Sequence, residues 1–364
     1  MNPASSSFHL GHRPALDGVR GFAILMVLVD HGRIVGDGFG FMGVNTFFVL
    51  SGFLITCLLV EEHDRTGKIT FKNFYFRRGL RLLPALIVML AAFVLFCFMV
   101  DPYKRAVREL YEALAALFYI SNWTAMYHIG RHLSLLHTWS LSVEEQFYFI
   151  WPGILLWLLS KCTRSSILCW IFLGAVLSVM LRVALFVGGT TELSGNVFPL
   201  DPARLTGGTD TRADSLLIGC FAGVLACSNL LPRGAGFQQI LKLAATSAVP
   251  LLVGLAICPK MDPLMVYCGW FAASILAMAL ILYLVSAPES WLHRCLQNRP
   301  LAYLGTISYS LYLWHFPIST ALVQHHLPWT NMTYLIPVIP VALLSYYLIE
   351  KPCLRLKKRF QVVD

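Results

Sequence analysis

The chain has 364 residues, of which 57% are hydrophobic and only 13% are charged. A soluble globular domain carries about a quarter charged residues, so this composition excludes an ordinary soluble protein and indicates a polytopic membrane protein. The 28 Lys and Arg residues exceed the 19 Asp and Glu residues, which fits basic anchors on the cytoplasmic side of a membrane. No nucleic-acid motif accompanies this excess, and we expect no nucleic-acid partner.

Apolar runs of about membrane-spanning length recur along the whole chain and predict an all-α fold of about ten transmembrane helices. They lie near residues 18–35, 42–60, 82–100, 146–160, 166–187, 215–228, 240–258, 264–286, 303–323 and 333–349. No small-residue cleavage site follows the first run, so we expect it to be a retained helix and not a signal peptide. We expect one membrane-embedded domain over residues 1–364, with no appended soluble domain.

Segment 109–123 is short and contains Glu112, so whether it crosses the membrane decides the topology of everything after it. If it stays on the outer face and the N-terminus is inside, 19 Lys and Arg residues lie inside and 8 outside. If it crosses, the basic residues favour the outside instead. The positive-inside rule therefore predicts ten spans with both termini in the cytoplasm. The bilayer is the partner that this composition requires.

The first apolar run carries Arg20 and His31, eleven residues apart. Eleven helical steps of about 100° return to within roughly 20° of the start and rise about 16 Å. Both side chains should therefore leave the same helix face at two depths and point into one cavity, because an ionisable group facing lipid is costly. In the simpler alternative, His31 bonds a neighbouring helix and Arg20 reaches the headgroups. The sequence assigns no role to Asp30.

Three arginines, Arg77, Arg78 and Arg81, stand at the cytoplasmic start of the third predicted span. Their i,i+3 and i,i+4 spacing places them together on a helix. Such a cluster is commonly a membrane anchor, but the planar guanidinium fork also suits phosphate oxygens.

The outer segment "HTWSLSVEEQFY" contains Ser142 and Glu145 at the spacing of a capping box, so Glu145 could simply cap the fourth span. That interpretation leaves His137, Ser140 and Glu144 as candidates for the outer mouth of the cavity. We predict no metal site, because the histidines lack ligand spacing and the ten cysteines are scattered.

The segment "TDTRADS" places three ionisable residues just before the sixth predicted span: Asp210, Arg212 and Asp214. They form either a self-satisfied network or a site for a polyhydroxylated acceptor. His315, in the ninth predicted span, needs a polar partner at that depth.

Seven strings follow one another in the order typical of a known family: "RPALDGVRGFAILMVLVDH", "GVNTFFVLSGFLIT", "FYFRRGLRLLPAL", "LLHTWSLSVEEQFYFIWP", "TDTRADSLLIG", "ISYSLYLWH" and "IEKP". Together they resemble the acyltransferase-three family of bacterial integral-membrane O-acyltransferases, which includes the O-antigen acetylases. Arg20 and His31 fit the family's pattern of an arginine, ten residues and a histidine. Arg77, Arg78 and Arg81 fit its Arg-Arg-x-x-Arg pattern.

The resemblance implies an enzyme of the bacterial inner (cytoplasmic) membrane that moves an acyl group, with acetyl expected, from cytoplasmic acyl-CoA to an extracytoplasmic glycan hydroxyl. The glycan could be lipopolysaccharide O-antigen, exopolysaccharide or peptidoglycan. We expect the CoA phosphates on Arg77, Arg78 and Arg81, and His31 as general base or transient acyl carrier, with Arg20 and Glu144 in the catalytic set. The expected acceptor-binding residues are His137, Ser140, Asp210, Arg212 and Asp214.

Two rival functions use the same features differently. Intramembrane His and Arg residues also occur in transporters and exporters, but the chain shows no inverted repeat and no paired broken helices. A receptor or scaffold would need no aligned Arg20 and His31. The sequence does not name the acceptor or the acyl chain.

Overall fold

The computed structural model describes residues 8–100, 104–127, 134–190, 202–228, 230–232, 234–324 and 331–357. Within these ranges all regular structure is helical. The α-helices are α1 (Pro14–His31), α2 (Gly38–Thr66), α3 (Phe71–Val100), α4 (Lys104–Leu117), α5 (Ser121–Met126), α6 (Trp139–Lys161), α7 (Arg164–Thr190), α8 (Pro202–Gly207), α9 (Thr209–Cys227), α10 (Ala235–Ile257), α11 (Trp270–Ser286), α12 (Trp291–Leu296), α13 (Arg299–Thr306), α14 (Ser308–Gln324), α15 (Leu335–Ser345) and α16 (Lys351–Lys357). Short 3₁₀ turns cover Leu136–Thr138 and Asn331–Tyr334, and π-turns cover Met265–Gly269 and Tyr346–Glu350.

Six helical segments of the described chain are long and apolar enough to cross a bilayer: Gly38–Thr66, Phe71–Val100, Arg164–Gly189, Ala235–Ile257, Met265–Ser286 and Asn331–Leu356. The other four predicted spans coincide with α1, α6, α9 and α14, which are shorter or carry more polar residues. The all-α membrane fold is therefore confirmed, whereas the count of about ten spans and the cytoplasmic placement of both termini stay predictions.

The segment 109–123 forms parts of two short helices. α4 has 14 residues, about 21 Å of helix, and the hydrocarbon core of a bilayer is about 30 Å thick. The chain then breaks at Tyr119, which adopts a positive φ of 55°, before α5 begins. Neither helix is long enough to cross the membrane alone, which agrees with the prediction that this segment does not span.

α2 is the central helix of the fold, since 78% of its apolar window is buried inside the protein. It packs against α1, α9 and α11. The crossing with α9 is close because both helices present glycine: a Cβ on Gly52 would lie 2.1 Å from the Leu216 carbonyl, and one on Gly219 would lie 2.0 Å from the Val49 carbonyl. Small residues at a crossing let two membrane helices approach backbone to backbone.

α1 is held on its other side by α13 in the same way. A Cβ on Gly305 would lie 1.8 Å from the Asp17 carbonyl, and one on Gly21 would lie 2.0 Å from the Leu301 carbonyl. These glycines hold α1 against α13, and α2 also packs against α1. This position turns the face with Arg20 and His31 toward the interior.

Candidate active site

Two adjoining cavities lie along α1. The first, here called the arginine cavity, has a volume of about 150 Å³ and is lined by Arg20, Arg77, Arg78, Arg81, Ser140, Glu144 and Tyr148, among others. The second, here called the histidine cavity, has a volume of about 300 Å³ and is lined by His31, His137, Asp30, Asp37, Asn122 and Lys260, among others. Val44 and Tyr312 line both cavities and so form the wall between them. Arg20 and His31 therefore face two adjoining cavities, where the sequence predicted one.

Acidic side chains, from the same helix for Arg20 and from other helices for Arg77 and Arg78, hold most of the cluster in the arginine cavity. Arg77 pairs with Glu62 at 3.2 Å, and Arg20 lies 3.7 Å from Asp17. Arg78 donates from Nε to Glu145 Oε1 at 2.8 Å. These pairs fix the guanidinium groups where several positive charges converge.

Arg78 and Arg81 differ in how they are held. The Arg78 guanidinium carbon lies 3.7 Å from the centre of the Tyr148 ring, a cation–π contact that adds to its pair with Glu145. Arg81 lines the same cavity but makes no ion pair or hydrogen bond among the described residues. Arg81 is therefore the arginine of this cluster whose guanidinium group is open to a bound anion.

The capping-box interpretation of Glu145 is wrong. α6 begins at Trp139, and its N-cap residue Thr138 makes no side-chain cap hydrogen bond. Glu145 lies inside the helix and pairs with Arg78 on α3. Ser142 instead bonds the Ser121 hydroxyl at 2.7 Å, joining α6 to α5.

Glu144 lines the arginine cavity beside the Arg78 guanidinium, whereas the sequence placed it at the outer mouth with His137. The structure brings together Glu144, Ser140 and the four arginines, and it leaves Glu144 outside the lining of the histidine cavity.

In the histidine cavity, the backbone fixes the orientation of His31. Its Nδ1 lies 2.8 Å from the Val27 carbonyl, one helical turn earlier. A neutral ring that donates Nδ1–H to this carbonyl keeps the lone pair on Nε2 for chemistry. The His31 side chain is 27% exposed, so it can reach a molecule in the cavity.

Two aromatic rings contact His31, and a third, His137, contacts both of them. The His315 ring lies 4.8 Å and the Phe316 ring 5.2 Å from it, centre to centre. His315, which is fully buried, donates from Nδ1 to the Tyr312 carbonyl at 2.7 Å. His137 contacts both His315 and Phe316 and lines the same cavity as His31.

A chain of hydrogen bonds runs through the wall between the cavities. The Tyr312 hydroxyl donates to the His137 carbonyl at 2.7 Å, and the Ser140 hydroxyl lies 2.6 Å from the Tyr312 hydroxyl. Ser140 lines the arginine cavity and His137 the histidine cavity. The motifs "HTWSLS" and "ISYSLYLWH" therefore meet at this wall.

Asp30 lies where α1 ends and α2 begins. Its Oδ2 would lie 2.7 Å from a Cβ on Gly40, so the Asp30 side chain packs directly against the backbone of α2 and would have to shift for any larger residue there. Asp30 lines the histidine cavity and lies 3.9 Å from the Nδ1 of His31.

The three residues of "TDTRADS" lie in different surroundings, and none of them lines either cavity. Asp210 forms an exposed pair with Arg204. Arg212 and Asp214 are completely buried. Arg212 donates to Asn45 at 2.9 Å, and Asp214 pairs with Arg182 at 3.0 Å. Arg212 and Asp214 thus belong to a buried polar network that lies outside the lining of either cavity.

Comparison with known proteins decides the family. A sequence model of the family described as "Acyltransferase domain" matches residues 13–351. The chain belongs to this family. The resemblance that its seven strings indicated is thereby confirmed.

Similar proteins include the peptidoglycan O-acetyltransferase OatA of Listeria monocytogenes, 33% identical over 358 residues that cover 93% of this chain and 55% of that protein. The O-acetyltransferase OatA of Staphylococcus aureus is 32% identical over 93% of this chain and 57% of its own length. The putative peptidoglycan O-acetyltransferase YrhL of Bacillus subtilis is 34% identical over 94% and 55%. The chain thus spans about half the length of these relatives. No solved structure matches it.

Several of the family strings of this chain lie on the walls of the two cavities. The first string supplies Arg20 and His31, the third supplies the arginine cluster, and the fourth supplies His137, Ser140 and Glu144. Among the described residues, no group of three or more His, Cys, Asp or Glu side chains is placed to bind a metal ion.

Sequence reasoning missed Tyr312, which lines both cavities. The sequence could have indicated Tyr312 as a site residue, because it precedes His315 by three residues and i,i+3 neighbours share a helix face. Lys260 and Asp37, which form a pair at 3.4 Å beside the histidine cavity, gave no such signal, since they lie in two loops 223 positions apart.

Proposed function

We propose that the chain is an O-acyltransferase of the bacterial cytoplasmic membrane that moves an acetyl group from cytoplasmic acetyl-CoA to a hydroxyl of a cell-envelope glycan. The observation that carries the proposal is the pair of adjoining cavities, one lined by arginines and one by histidines, with a common wall at Val44 and Tyr312.

The arginine cavity suits the donor. Four arginines line it, and a guanidinium group presents its N–H donors in a fork that fits phosphate oxygens. The nucleotide of acetyl-CoA carries such phosphates. Its pantetheine arm is on the order of 20 Å long, comparable with the roughly 16 Å helical rise from Arg20 to His31. The thioester can therefore reach the wall at Tyr312 while the nucleotide stays on the arginines.

The histidine cavity suits the acceptor. Its polar lining residues Asp30, Asp37 and Lys260 offer both acceptors and donors to sugar hydroxyls. His31 takes the hydroxyl proton at Nε2 as general base. Glu144 stays in the proposed catalytic set, on the side of the arginine cavity that it lines. Two relatives bear names that specify peptidoglycan, so peptidoglycan is the acceptor we propose. A transporter without acyl transfer is not favoured, because the family and the relatives are named for acyl transfer.

The test is the release of CoA from acetyl-CoA by purified protein in detergent, with soluble peptidoglycan fragments as acceptor. We expect glycan-dependent release by the wild-type protein, and its loss in His31→Ala and in Arg78→Ala. A folded His31→Ala variant with full activity would refute the role of His31. Failure of the wild-type protein to consume any acyl-CoA would refute the acyltransferase proposal itself.

A further inference from the structure

His137 is buried, yet its ring lines a cavity as a ligand-binding side chain would. Its side chain is 4% exposed, and it lies in the short turn Leu136–Thr138 just before α6. The ring stacks on Phe316 with ring centres 5.1 Å apart and an angle of 25°, and it lines the histidine cavity together with His31. A hydrogen bond from the Tyr312 hydroxyl to the His137 carbonyl holds the backbone of His137 in place.

Neither ring nitrogen of His137 makes a hydrogen bond of normal geometry among the described residues. A buried polar group without a partner costs about 1–3 kcal/mol. The same fold shows how a purely structural histidine is treated. His293 is buried to nearly the same degree, 5% exposed, but its Nδ1 bonds Ser290 and its Nε2 bonds the Leu284 carbonyl.

The surroundings of His137 keep its ring neutral. Burial, and then repulsion from the nearby His31, lower the pKa of His137 to about 3, although the Leu313 carbonyl favours the protonated ring. A neutral imidazole carries one N–H and gives up its proton only with difficulty. It can therefore donate a hydrogen bond to a developing negative charge without transferring the proton.

We propose that His137 donates its N–H to the carbonyl oxygen of the acyl group and stabilises the negative charge that forms there during transfer. The inference rests on the proposed function and adds the oxyanion donor to it. His31 and His137 contact the same two rings, His315 and Phe316. An acyl group that passes the Tyr312 wall therefore arrives between a base and a donor.

Each step balances. The acceptor oxygen bonds the carbonyl carbon while its proton moves to Nε2 of His31, and the electron pair of the C=O bond moves onto the oxygen that His137 contacts. When the C=O bond re-forms, the carbon–sulfur bond breaks and the proton passes from His31 to the CoA sulfur. His137 ends the cycle with its own proton.

Two substitutions separate hydrogen-bond donation from packing. His137→Phe keeps an aromatic ring against Phe316 but removes the donor, whereas His137→Gln keeps an N–H donor. Removing one oxyanion donor costs about 100-fold to 1,000-fold in kcat. We expect a loss of that size in His137→Phe with an unchanged KM for acetyl-CoA, and recovery of at least about tenfold of it in His137→Gln. His293→Gln, the matched control, should lower the melting temperature and leave kcat unchanged.

Activity of His137→Phe within about threefold of wild type, far below the donor effect, would overturn the inference. So would a defect confined to the KM for the glycan, or a folded His137→Gln as inactive as His137→Phe. In these three cases the wild-type protein still turns over acetyl-CoA, so the proposed function stands. A wild-type protein that does not turn over acetyl-CoA would overturn both.

Discussion

Arg81 is the residue at which a phosphate contact can be measured most directly. Its guanidinium group makes no ion pair within 4 Å among the described residues. Glu350, the buried carboxylate whose charge acts on Arg81, keeps its hydrogen bond from Ser310 when Arg81 is removed. A hydrogen bond to a charged group contributes about 1.5–3 kcal/mol, and Arg81→Ala should raise the KM for acetyl-CoA by about 10-fold to 150-fold. Acetyl-pantetheine, which lacks the nucleotide phosphates, should show the same KM with both proteins. An equal rise for both donors would contradict a phosphate contact.

The pair formed by Asp214 and Arg182 permits the second test at this scale. Both side chains are completely buried, and breaking such a pair by removing one partner costs about 3–5 kcal/mol. Asp214→Ala should therefore lower the melting temperature in detergent strongly and leave the acceptor KM of the folded fraction unchanged.

Asp210→Ala is the control for that variant. Its pair with Arg204 is exposed, and such pairs contribute about 0–1 kcal/mol, so little should change. If Asp214→Ala kept its melting temperature and raised the acceptor KM, the sugar-binding interpretation of "TDTRADS" would be restored.

At the scale of single residues, the spacing of residues along the chain predicted which helix face a side chain occupies, but not which residues of other helices it contacts. The eleven-residue interval correctly gave Arg20 and His31 a common, inward-facing side of α1. It could not show that Val44 and Tyr312 divide the space in front of them, because these residues come from α2 and α14. Glu145 was misread for a related reason: a local spacing suggested a cap, and its actual partner, Arg78, lies 67 positions away.

At the scale of elements, hydropathy identifies uniformly apolar helices more readily than helices that carry several ionisable or polar residues. α1, α6, α9 and α14 fall outside the six segments that are apolar enough to span. Three of them, α1, α6 and α14, carry the cavity residues His31, Ser140, Glu144 and Tyr312. The ionisable and polar residues that line the cavities lower the mean hydropathy of these helices. A helix that contributes to the site is therefore harder to identify as a membrane span from its hydropathy.

The crossing of α2 and α9 yields a prediction for stability. In Gly219→Ala the new methyl group would lie 2.0 Å from the Val49 carbonyl, and because that contact is backbone, the helices must move apart. We expect a loss of about 1–3 kcal/mol or more, seen as a lower melting temperature in detergent.

Gly254→Ala in α10 is the matched control for the crossing. A Cβ there meets nothing within 4 Å, and alanine stabilises a helix interior by about 0.5–1 kcal/mol relative to glycine. The melting temperature should stay constant or rise. Equal stability of Gly219→Ala and Gly254→Ala would show that the two helices are not in backbone contact.

At the scale of the whole molecule, the two cavities account for how one chain could use substrates from two sides of a membrane. The order of the family strings predicted the enzyme class, and the apolar runs predicted an all-α membrane fold. That the arginines and the histidines line separate cavities could be seen only in the tertiary structure, because each cavity is formed by helices distant in sequence. The arginine cavity alone takes residues from α1, α2, α3, α6 and α14.

The most direct test of this account is acetyl transfer across a sealed membrane. Labelled acetyl-CoA is enclosed in proteoliposomes, soluble peptidoglycan fragments are added outside, and labelled acetyl ester on the fragments is measured. We predict transfer to the outside glycan by the wild-type protein and none by His31→Ala. Acetylation only when donor and glycan share one compartment, or undiminished transfer by folded His31→Ala, would contradict the account.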